Sequence, residues 1–441
     1  MEPMALSFGV LIAYLNRAIA QMSDPRKASN ATKYSLKDAV LAAFSVFFMQ
    51  SESFLDYQRH QQSHHGNSNA QTLFGMINVP TVPQIRNILD KIPAAALSGV
   101  FECVYQALQR EGHLKPFEML GGLLVALDGT QYFDSHKLSC EQCSRRLHQN
   151  GSFTYSHSAI LPVIVAPGQS QVISLAPEFI TPQDGAQKQD SEVAAAKRWI
   201  AAHRSAFGEQ SVTLLGDDLY SHQPMCEAVL ASGMQFVFTC LPTSHAAMHE
   251  ALKQRESQGE VKTLKIEKRH KSTKELYCYR YVNQIPLRST QPALNVNWVG
   301  LVVKREADGK VLYENAFVTR HELTEASVPL VTEAGRCRWK TENENHNILK
   351  TKGYHLEHNF GHGEEHLAPG LLTLNLLAFL FHTVLELTDL AYQKIRKKRG
   401  TRKGFFQDIV SLTQYFRFEG WQSLIDFMLY GSPIPQTANS S

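Results

Sequence analysis

The sequence has little net charge and lacks the cysteine pattern of a disulfide-rich protein. Its 441 residues carry a formal net charge of +3, so total charge alone identifies neither a nucleic acid nor a membrane as partner. The seven cysteines are an odd number scattered over a long chain, which excludes a small disulfide framework and favours a reducing compartment. The first residues also lack the charged and then apolar pattern of a secretory signal. These features predict a cytoplasmic protein.

Long uninterrupted apolar segments are scarce as well. The most apolar stretch, residues 367–390, just reaches membrane-spanning length, but polar residues recur through it. They include Asn375, His382, Glu386 and Asp389. Because polar and charged groups inside a membrane are costly, we predict a buried core helix here and no membrane partner.

The length of the chain and the order of its patterns predict several domains. At 441 residues it exceeds the size at which one hydrophobic core keeps growing. We assign a helical, DNA-binding N-terminal region to residues 1–115 and a basic C-terminal region to residues 393–441. Between them lie an α/β core in two parts, residues 116–241 and 321–392, and a β-rich insertion at residues 242–320. In the core, the runs 158–165 and 171–175 predict two strands joined in a hairpin, and in the insertion Asp308 and Gly309 predict another hairpin. In the first region, residues 81–90 have the pattern of either a DNA-recognition helix or a packed surface helix.

The most informative stretch is an apolar run that ends in an acid. Residues 122–127 have the length and composition of a strand buried on both faces, and Asp128 follows them directly. A second such strand, residues 211–216, leads into Asp217 and Asp218. Carboxylates at strand ends lie at the edge of a sheet, where α/β folds place their chemistry. Either aspartate alone is explained more simply as a turn cap.

A third acidic candidate lies on a predicted helix. Glu342 and Glu344 are two positions apart, so on an α-helix they point about 200° away from each other and only one can face a given site. Two strand-end aspartates and one helical glutamate suit a site for divalent cations, because Mg²⁺ prefers oxygen ligands. A pair of such ions can activate a nucleophile and stabilise the leaving oxygen in a displacement at phosphorus.

Together these segments resemble the DDE transposases of bacterial insertion sequences, over roughly residues 120–390. The resemblance implies an α/β fold with an RNase H-like mixed sheet flanked by helices, and a β-rich insertion ahead of the third acid. It implies that Asp128, Asp217 and Glu342 are the catalytic residues and hold two Mg²⁺ or Mn²⁺ ions per active site. Asp217 is preferred over Asp218 because Tyr220 follows it at the family's usual spacing.

The third acid is assigned from the family signature Y-(2)-R-(3)-E-(6)-K. Arg338 precedes Glu342 by the expected gap, which selects Glu342 over Glu344. The sequence departs from the signature twice, since Gly335 stands in the tyrosine position and Lys350 follows Glu342 after seven residues rather than six. The resemblance implies that Arg338 and Lys350 contact DNA phosphates.

Other residues are predicted to bind DNA. Trp339 is predicted either to stack on an unpaired base or to pack in the core between its helix and the sheet. The densest basic run in the chain is predicted to contact the DNA backbone, with a solvated tail as the alternative. Its central residues are Arg396, Lys397, Lys398 and Arg399.

Cysteine and histidine residues form two further clusters. Cys140 and Cys143 are a candidate zinc pair, with His136 and His148 nearby, but a single CxxC needs partners from elsewhere in the chain. Reduced structural thiols are the alternative. A second cluster of histidines is predicted to form a loop after the glutamate helix. It consists of His355, His358, His362 and His366. The sequence argues against a metalloprotease, because Gly363, not glutamate, follows His362.

The resemblance implies a transposase that binds double-stranded DNA at the terminal repeats of its element. It would cleave DNA at the element ends and transfer the freed strand into target DNA, as a homodimer that holds two ends. Two alternatives remain open from the sequence. One is a stand-alone RNase H-like nuclease, and the other is a non-catalytic DNA-binding repressor of transposition.

Overall fold

A computed structural model of the protein describes residues 6–26, 33–61, 65–182, 190–270 and 273–431. These residues form a mixed α/β fold with a large sheet, a smaller antiparallel sheet and many helices, as the sequence predicts. The strands are β1 Glu118–Met119, β2 Gly122–Ala126, β3 Gly129–Ser135, β4 Ser144–Leu147, β5 Phe153–Ile160, β6 Val163–Val165, β7 Ile173–Ser174, β8 Glu178–Ile180, β9 Val212–Gly216, β10 Gln235–Thr239, β11 Lys262–His270, β12 Thr273–Pro286, β13 Asn295–Arg305 and β14 Val311–Thr319. The α-helices are α1 Phe8–Gln21, α2 Leu36–Phe48, α3 Phe54–Gln61, α4 Gly66–Phe74, α5 Val82–Leu89, α6 Ser98–Arg110, α7 Glu192–His203, α8 Gln223–Ala231, α9 Ala246–Ser257, α10 Ser327–Arg336, α11 Asn347–Thr351, α12 Leu367–Thr388, α13 Leu390–Arg399, α14 Arg402–Tyr415 and α15 Trp421–Tyr430.

The centre of the large sheet is formed by the apolar runs of the sequence. The strands lie in the order β7, β6, β2, β9, β10, with β2, β9 and β10 parallel and β6 antiparallel to both of its neighbours. All five residues of β2 and of β9 are buried, as expected of strands covered on both faces. Because β2 and β9 are parallel and in register, their carboxyl ends meet at the same edge of the sheet.

One predicted strand is wrong. The sequence suggests a single strand over residues 158–165, but the chain leaves the small sheet at Ile160 and enters the large sheet at Val163. Leu161 and Pro162 lie between the two strands. Pro162 has no amide hydrogen for a ladder, so the run cannot continue as one central strand. The hairpin predicted after it is present, since β6 pairs with β7 in antiparallel fashion.

The β-rich insertion extends the large sheet. Strands β11 to β14 form an antiparallel meander, and β14 pairs with β10, so the insertion continues the central sheet instead of forming its own. The hairpin predicted at Asp308 and Gly309 joins β13 to β14, with Gly309 at a φ of 68°. The helix α9 precedes the strands and was not predicted in this region.

The apolar helix α12 lies at the centre of the helical part. It is long and apolar enough to cross a membrane, but 89% of its most apolar window is buried inside the protein, which confirms the predicted core helix. Helix α2 packs against α12. The N-cap of α2 is Ser35, whose side chain accepts a hydrogen bond from the amide of Asp38. The ring of Trp421 in α15 lies 4.7 Å from the ring of Phe8 and 5.3 Å from that of Phe48. The N-terminal and C-terminal helices therefore share one core.

The start of α12 is capped by a residue of the N-terminal region. The carboxylate of Asp90 accepts hydrogen bonds of 2.9–3.2 Å from the consecutive backbone amides of residues 364–367. A helix leaves its first amides without partners inside the helix, and the Asp90 carboxylate satisfies the first of them, that of Leu367, together with the three amides of the loop before it. The contact fixes the loop before α12 to the end of α5.

Candidate functional site

The candidate site lies at the edge where β2 and β9 end. Asp128 follows β2 after one residue, and Asp217 follows β9 directly. Asp217 begins a short 3₁₀ turn, and one of its carboxylate oxygens accepts from the amide of Leu219 at 2.9 Å. The cap expected of an isolated aspartate is therefore present at Asp217. Its charge nevertheless acts on Asp128, because the two strands are adjacent.

The electrostatics of Asp128 show which acids come together. Burial, with the negative charges of Glu192, Glu342 and Asp217, raises the pKa of this carboxyl to about 7, against the opposing effect of Arg338. The charges of the other two predicted acids therefore reach the carboxyl of Asp128, although among the described residues the group of possible metal ligands with all ligand atoms within 4.8 Å is a different one, of cysteines and histidines. A fourth acid, Glu192, joins them. Four carboxylates around one edge of a sheet form a strongly negative site.

Asp218 is directed elsewhere. Its carboxylate accepts from the amide of Leu241 at 2.6 Å and lies 3.9 Å from Nε2 of His245. These contacts tie the turn after β9 to the segment that follows β10.

Glu192 was not predicted as a site residue. It occupies the first turn of α7, after the N-cap Ser191. One carboxylate oxygen accepts from the amide of Gly129 at 3.2 Å and from the hydroxyl of Tyr220 at 2.7 Å. A side-chain carbon at Gly129 would collide with this carboxylate, which explains the glycine after Asp128. In the sequence an acid after an N-cap serine indicates only a helix start, so nothing there connects it to β2.

The third predicted acid lies on a π-helical turn, Thr341–His346, between α10 and α11. The side chain of Glu342 is 54% exposed and forms an ion pair of 2.8 Å with Arg338, one turn earlier. Glu344 is half-buried. Single π turns inside helices are rare and occur frequently at functional sites. The angle of about 200° expected between the two glutamates on a regular α-helix does not apply to such a turn.

The π turn also bears on the unusual spacing of Lys350. This lysine lies eight positions after Glu342, one more than in the family signature, and a π turn holds about one residue more than an α turn. Both Glu342 and Lys350 act on the same ring, that of His346. Lys350 also forms an ion pair of 2.9 Å with Glu357. The π turn, Thr341–His346, overlaps the interval from Glu342 to Lys350 and so coincides with the extra residue in this spacing.

His346 borders Asp128. Its Nδ1 lies 3.6 Å from a carboxylate oxygen of Asp128. Burial, with the positive charges of Lys350 and Arg338, lowers the pKa of His346 to about 4, against the opposing effect of Glu342. The imidazole is therefore neutral at pH 7. Near it, Thr341, Asn345 and His346 carry buried polar atoms without a hydrogen-bond partner among the described residues. Such groups are rare in folded proteins and mark a polar interior next to the acids.

Gly335 explains one departure from the family signature. A side-chain carbon on it would lie 2.6 Å from the buried ring of Phe317 in β14. A tyrosine at this position cannot be accommodated, because α10 packs closely against the sheet here.

The predicted DNA-binding residues differ in exposure. Trp339 is 45% exposed, so its ring is not part of the core. The basic run is helical and is not a solvated tail. Within it, Lys397 and Lys398 are exposed, while Arg399 forms an ion pair with Asp408. Arg396 is turned inward and forms an ion pair of 3.1 Å with Glu386, which also pairs with Arg402.

The N-terminal helix α5, predicted as either a recognition helix or a packed helix, has one face in the core. Ile85, Ile88 and Leu89 are buried, and the guanidinium of Arg86 lies 5.9 Å from the centre of the Phe54 ring. Asn87 is exposed.

Cys140 and Cys143 meet two histidines that the sequence did not pair with them. The partners are His157 of β5 and His362 of the loop before α12. His136 and His148 are engaged instead with Thr154, at 3.3 Å and 2.6 Å. The pKa of the Cys140 thiol lies below its ordinary value because Cys143, and then His157 and His362, hydrogen-bond to it, which outweighs burial. The sequence signal for His157 and His362 was absent, since they are 14 and 219 positions from Cys143.

The site therefore combines acids from two strand ends, a helix start and a π turn, with Arg338, His346 and Lys350 around them. Carboxylate oxygens in such a cluster are suited to hard divalent cations. No protein-family model matches the sequence, and a search of curated proteins finds no significant match.

Proposed function

We propose that the protein is a DDE-type DNA transposase with an RNase H-like core, whose catalytic acids are Asp128, Asp217 and Glu342. The observation that carries the proposal is electrostatic. The three acids come from segments far apart in the sequence, yet the charges of Asp217 and Glu342 both raise the pKa of the buried carboxyl of Asp128.

The order of strands supports the RNase H-like assignment. In that topology an antiparallel three-stranded meander is followed by two parallel strands, and the first strand lies at the centre. Strands β2, β6 and β7 form such a meander, and β9 and β10 follow in parallel beside β2. The helix α7 connects the meander to β9. The first two acids then stand at the carboxyl ends of adjacent parallel strands.

The donor atoms fit divalent metal ions. Burial and surrounding carboxylates make the charged form of Asp128 unfavourable, and a bound cation would relieve this repulsion. We assign Asp128, Asp217 and Glu342 as the residues that would hold Mg²⁺ or Mn²⁺. When bound, two such ions supply activation of the attacking oxygen and stabilisation of the leaving oxygen in phosphodiester chemistry.

Other residues orient the acids and the DNA. Glu192 holds the turn after Asp128 through the amide of Gly129 and the hydroxyl of Tyr220. Arg338 neutralises Glu342 and is placed to exchange this partner for a phosphate oxygen. The neutral ring of His346 can donate a hydrogen bond to the site without adding charge.

Exposed cations provide the contacts to double-stranded DNA. Lys397 and Lys398 lie at the exposed end of α13, and each phosphate that they neutralise releases counterions and adds affinity. The exposed ring of Trp339, three residues before Glu342, is positioned to stack on a base near the cleaved end. Joining two element ends in one event requires a homodimer on DNA in the bacterial cytoplasm.

The test uses a plasmid that carries the DNA segments flanking the gene, with Mg²⁺. We expect the wild type to cleave at a defined position and to join a precut end to target DNA. Asp128→Ala, Asp217→Ala and Glu342→Ala should each lower cleavage by at least about 10²-fold, because each removes a metal ligand, while DNA binding persists.

The neighbouring acids are matched controls. Asp218→Ala and Glu344→Ala remove the same charge one or two positions away and should retain cleavage. Loss of activity in Glu344→Ala but not in Glu342→Ala would move the third ligand. Cleavage without joining of a precut end would support the stand-alone nuclease, and specific binding without any cleavage would support the repressor.

A further inference from the structure

A second cluster of metal-binding side chains lies outside the acidic site. It consists of Cys140 and Cys143, between β3 and β4, His157 in β5 and His362 before α12. One ligand atom from each lies within 4.8 Å of all the others. The two sulfurs are 3.7 Å apart, and the two Nε2 atoms are 3.2 Å apart. Three of the four sulfur-to-nitrogen distances are 3.5 Å for Cys140 to His157, 3.4 Å for Cys143 to His157 and 3.3 Å for Cys143 to His362, and the fourth, Cys140 to His362, is within 4.8 Å.

These distances are close to the edges of a zinc-centred tetrahedron. Zn–S bonds of about 2.3 Å and Zn–N bonds of about 2.0–2.1 Å give edges of about 3.8 Å between sulfurs, about 3.6 Å between sulfur and nitrogen and about 3.4 Å between nitrogens. Five of the six edges have a distance given above, and each of these five lies within about 0.3 Å of its expected length. Two thiolates with two imidazoles are a ligand set that selects zinc among common divalent metals.

The surroundings of the ligands support the same conclusion. His362 presents Nε2 to the cluster, while its Nδ1 lies 2.7 Å from the carbonyl oxygen of Gly363 and can donate to it. Metal-binding histidines commonly donate their second nitrogen in this way, which fixes the tautomer. The ring of Tyr132 stacks on His157, and the ring of Phe133 lies 4.5 Å from His362. His157 and Cys143 are buried.

We propose that Cys140, Cys143, His157 and His362 bind one Zn²⁺ ion in a closed structural site. All four tetrahedral positions are filled by protein, so none is left for a water or a substrate. The ion joins the small sheet to the loop before α12. That loop is also fixed to the N-terminal region through Asp90, so the zinc site connects three parts of the chain. This inference does not depend on the proposed transposase activity.

The test measures metal in the purified full-length protein. We expect about one zinc ion per chain by elemental analysis after passage through a weak chelator. Replacement by Co²⁺ should give the visible bands of a tetrahedral site and a thiolate-to-cobalt charge-transfer band. Cys143→Ala and His362→Ala should lose the ion, and strong chelators should lower the melting temperature of the wild type.

His136→Ala and His148→Ala are matched controls, because these histidines flank the same cysteines but point elsewhere. Both should keep about one zinc per chain. His362→Cys retains four ligands and should bind Co²⁺ with a stronger charge-transfer band. This variant tests whether position 362 supplies a ligand if His362→Ala does not fold. A wild type that holds no zinc and forms a Cys140–Cys143 disulfide would overturn the proposal. So would zinc retained in both Cys143→Ala and His362→Ala.

Discussion

The surroundings of Asp128 disfavour the ionised form of its carboxyl. It is largely buried, and Glu192, Asp217 and Glu342 add negative charge around it, with Arg338 as the main compensation. A carboxyl whose pKa is raised to about 7 binds a proton in the folded metal-free protein where the unfolded chain does not. In the absence of metal, Asp128 therefore lowers the free energy of unfolding, while the same negative surroundings favour the binding of a cation.

The pH dependence of this destabilisation can be measured. The destabilisation is absent below the ordinary carboxyl pKa of 3.8 and complete above about 7, so the metal-free protein loses stability from this group as pH rises between them. Its upper limit is about 4 kcal/mol. We predict that Asp128→Asn, measured by urea unfolding in EDTA, is more stable than the wild type at pH 8 and that the difference shrinks at pH 5.5.

Addition of Mg²⁺ at pH 8 supplies the control for this prediction. It should stabilise the wild type and leave Asp128→Asn nearly unchanged, because only the wild type regains a charge partner. An equal stability difference at both pH values in EDTA would show that Asp128 is ionised in the metal-free protein.

At the scale of elements, the helix α10 is held against β14 by close packing. Gly335 leaves no room for a side chain above the buried ring of Phe317. We predict that Gly335→Ala lowers the free energy of unfolding by about 1–3 kcal/mol, although alanine is the better helix former, because the ring has nowhere to move. The measurement is equilibrium unfolding in urea.

Gly370→Ala is the matched change for this prediction. Gly370 also lies in a helix, α12, but an added carbon there meets no atom within 4 Å. It should be neutral or stabilising by up to about 1 kcal/mol. Equal effects of the two substitutions would contradict the packing argument at Gly335.

The elements differ in how far the sequence predicts them. Strands β2, β9 and β10 and helices α2 and α12 were predictable, because long apolar runs and capping residues are local signals. The end of one strand before Pro162 was predictable in principle, because proline cannot donate to a ladder, but the apolar residues on both sides suggested one continuous strand. The only sign of the π turn in the sequence was the extra residue between Glu342 and Lys350.

The site was predictable only in part for a related reason. Asp128, Asp217 and Glu342 each carry a local pattern, so their assignment needed no long-range information. Glu192 and His362 reach their sites through tertiary contacts, and a single sequence contains no signal for such contacts. The same holds for the ion pair that turns Arg396 toward Glu386.

At the scale of the whole molecule, the two ends of the chain depend on each other. Trp421 packs between Phe8 and Phe48, and Asn69 in α4 donates to the carbonyl oxygens of Thr413 and Phe416. The N-terminal region of the sequence analysis is therefore not packed by itself. Its apolar faces are covered by α12, α14 and α15.

This dependence predicts the effect of truncation. A chain ending at Asp389 keeps α12 but lacks α14 and α15, which pack on α1, α3 and α4, so protease should cut within residues 6–61 much faster than in the full chain. A chain ending at Gly431 retains all described helices and should resist like the full chain. Continued protection of residues 6–61 in the shorter chain would show that the N-terminal helices form an independent unit.

Helix α2 has a consequence for the synthesis of the protein. Twelve of its thirteen residues are buried, and its main partner, α12, is completed 340 positions later in the chain. At bacterial to eukaryotic translation rates of about 5–20 residues per second, roughly 15 to 70 seconds pass before that partner exists. During this interval only α1, α3 and α5 are available to pack against α2, so the face that α12 will cover stays exposed. The nascent chain therefore offers this apolar face to a ribosome-associated chaperone until α12 has been made.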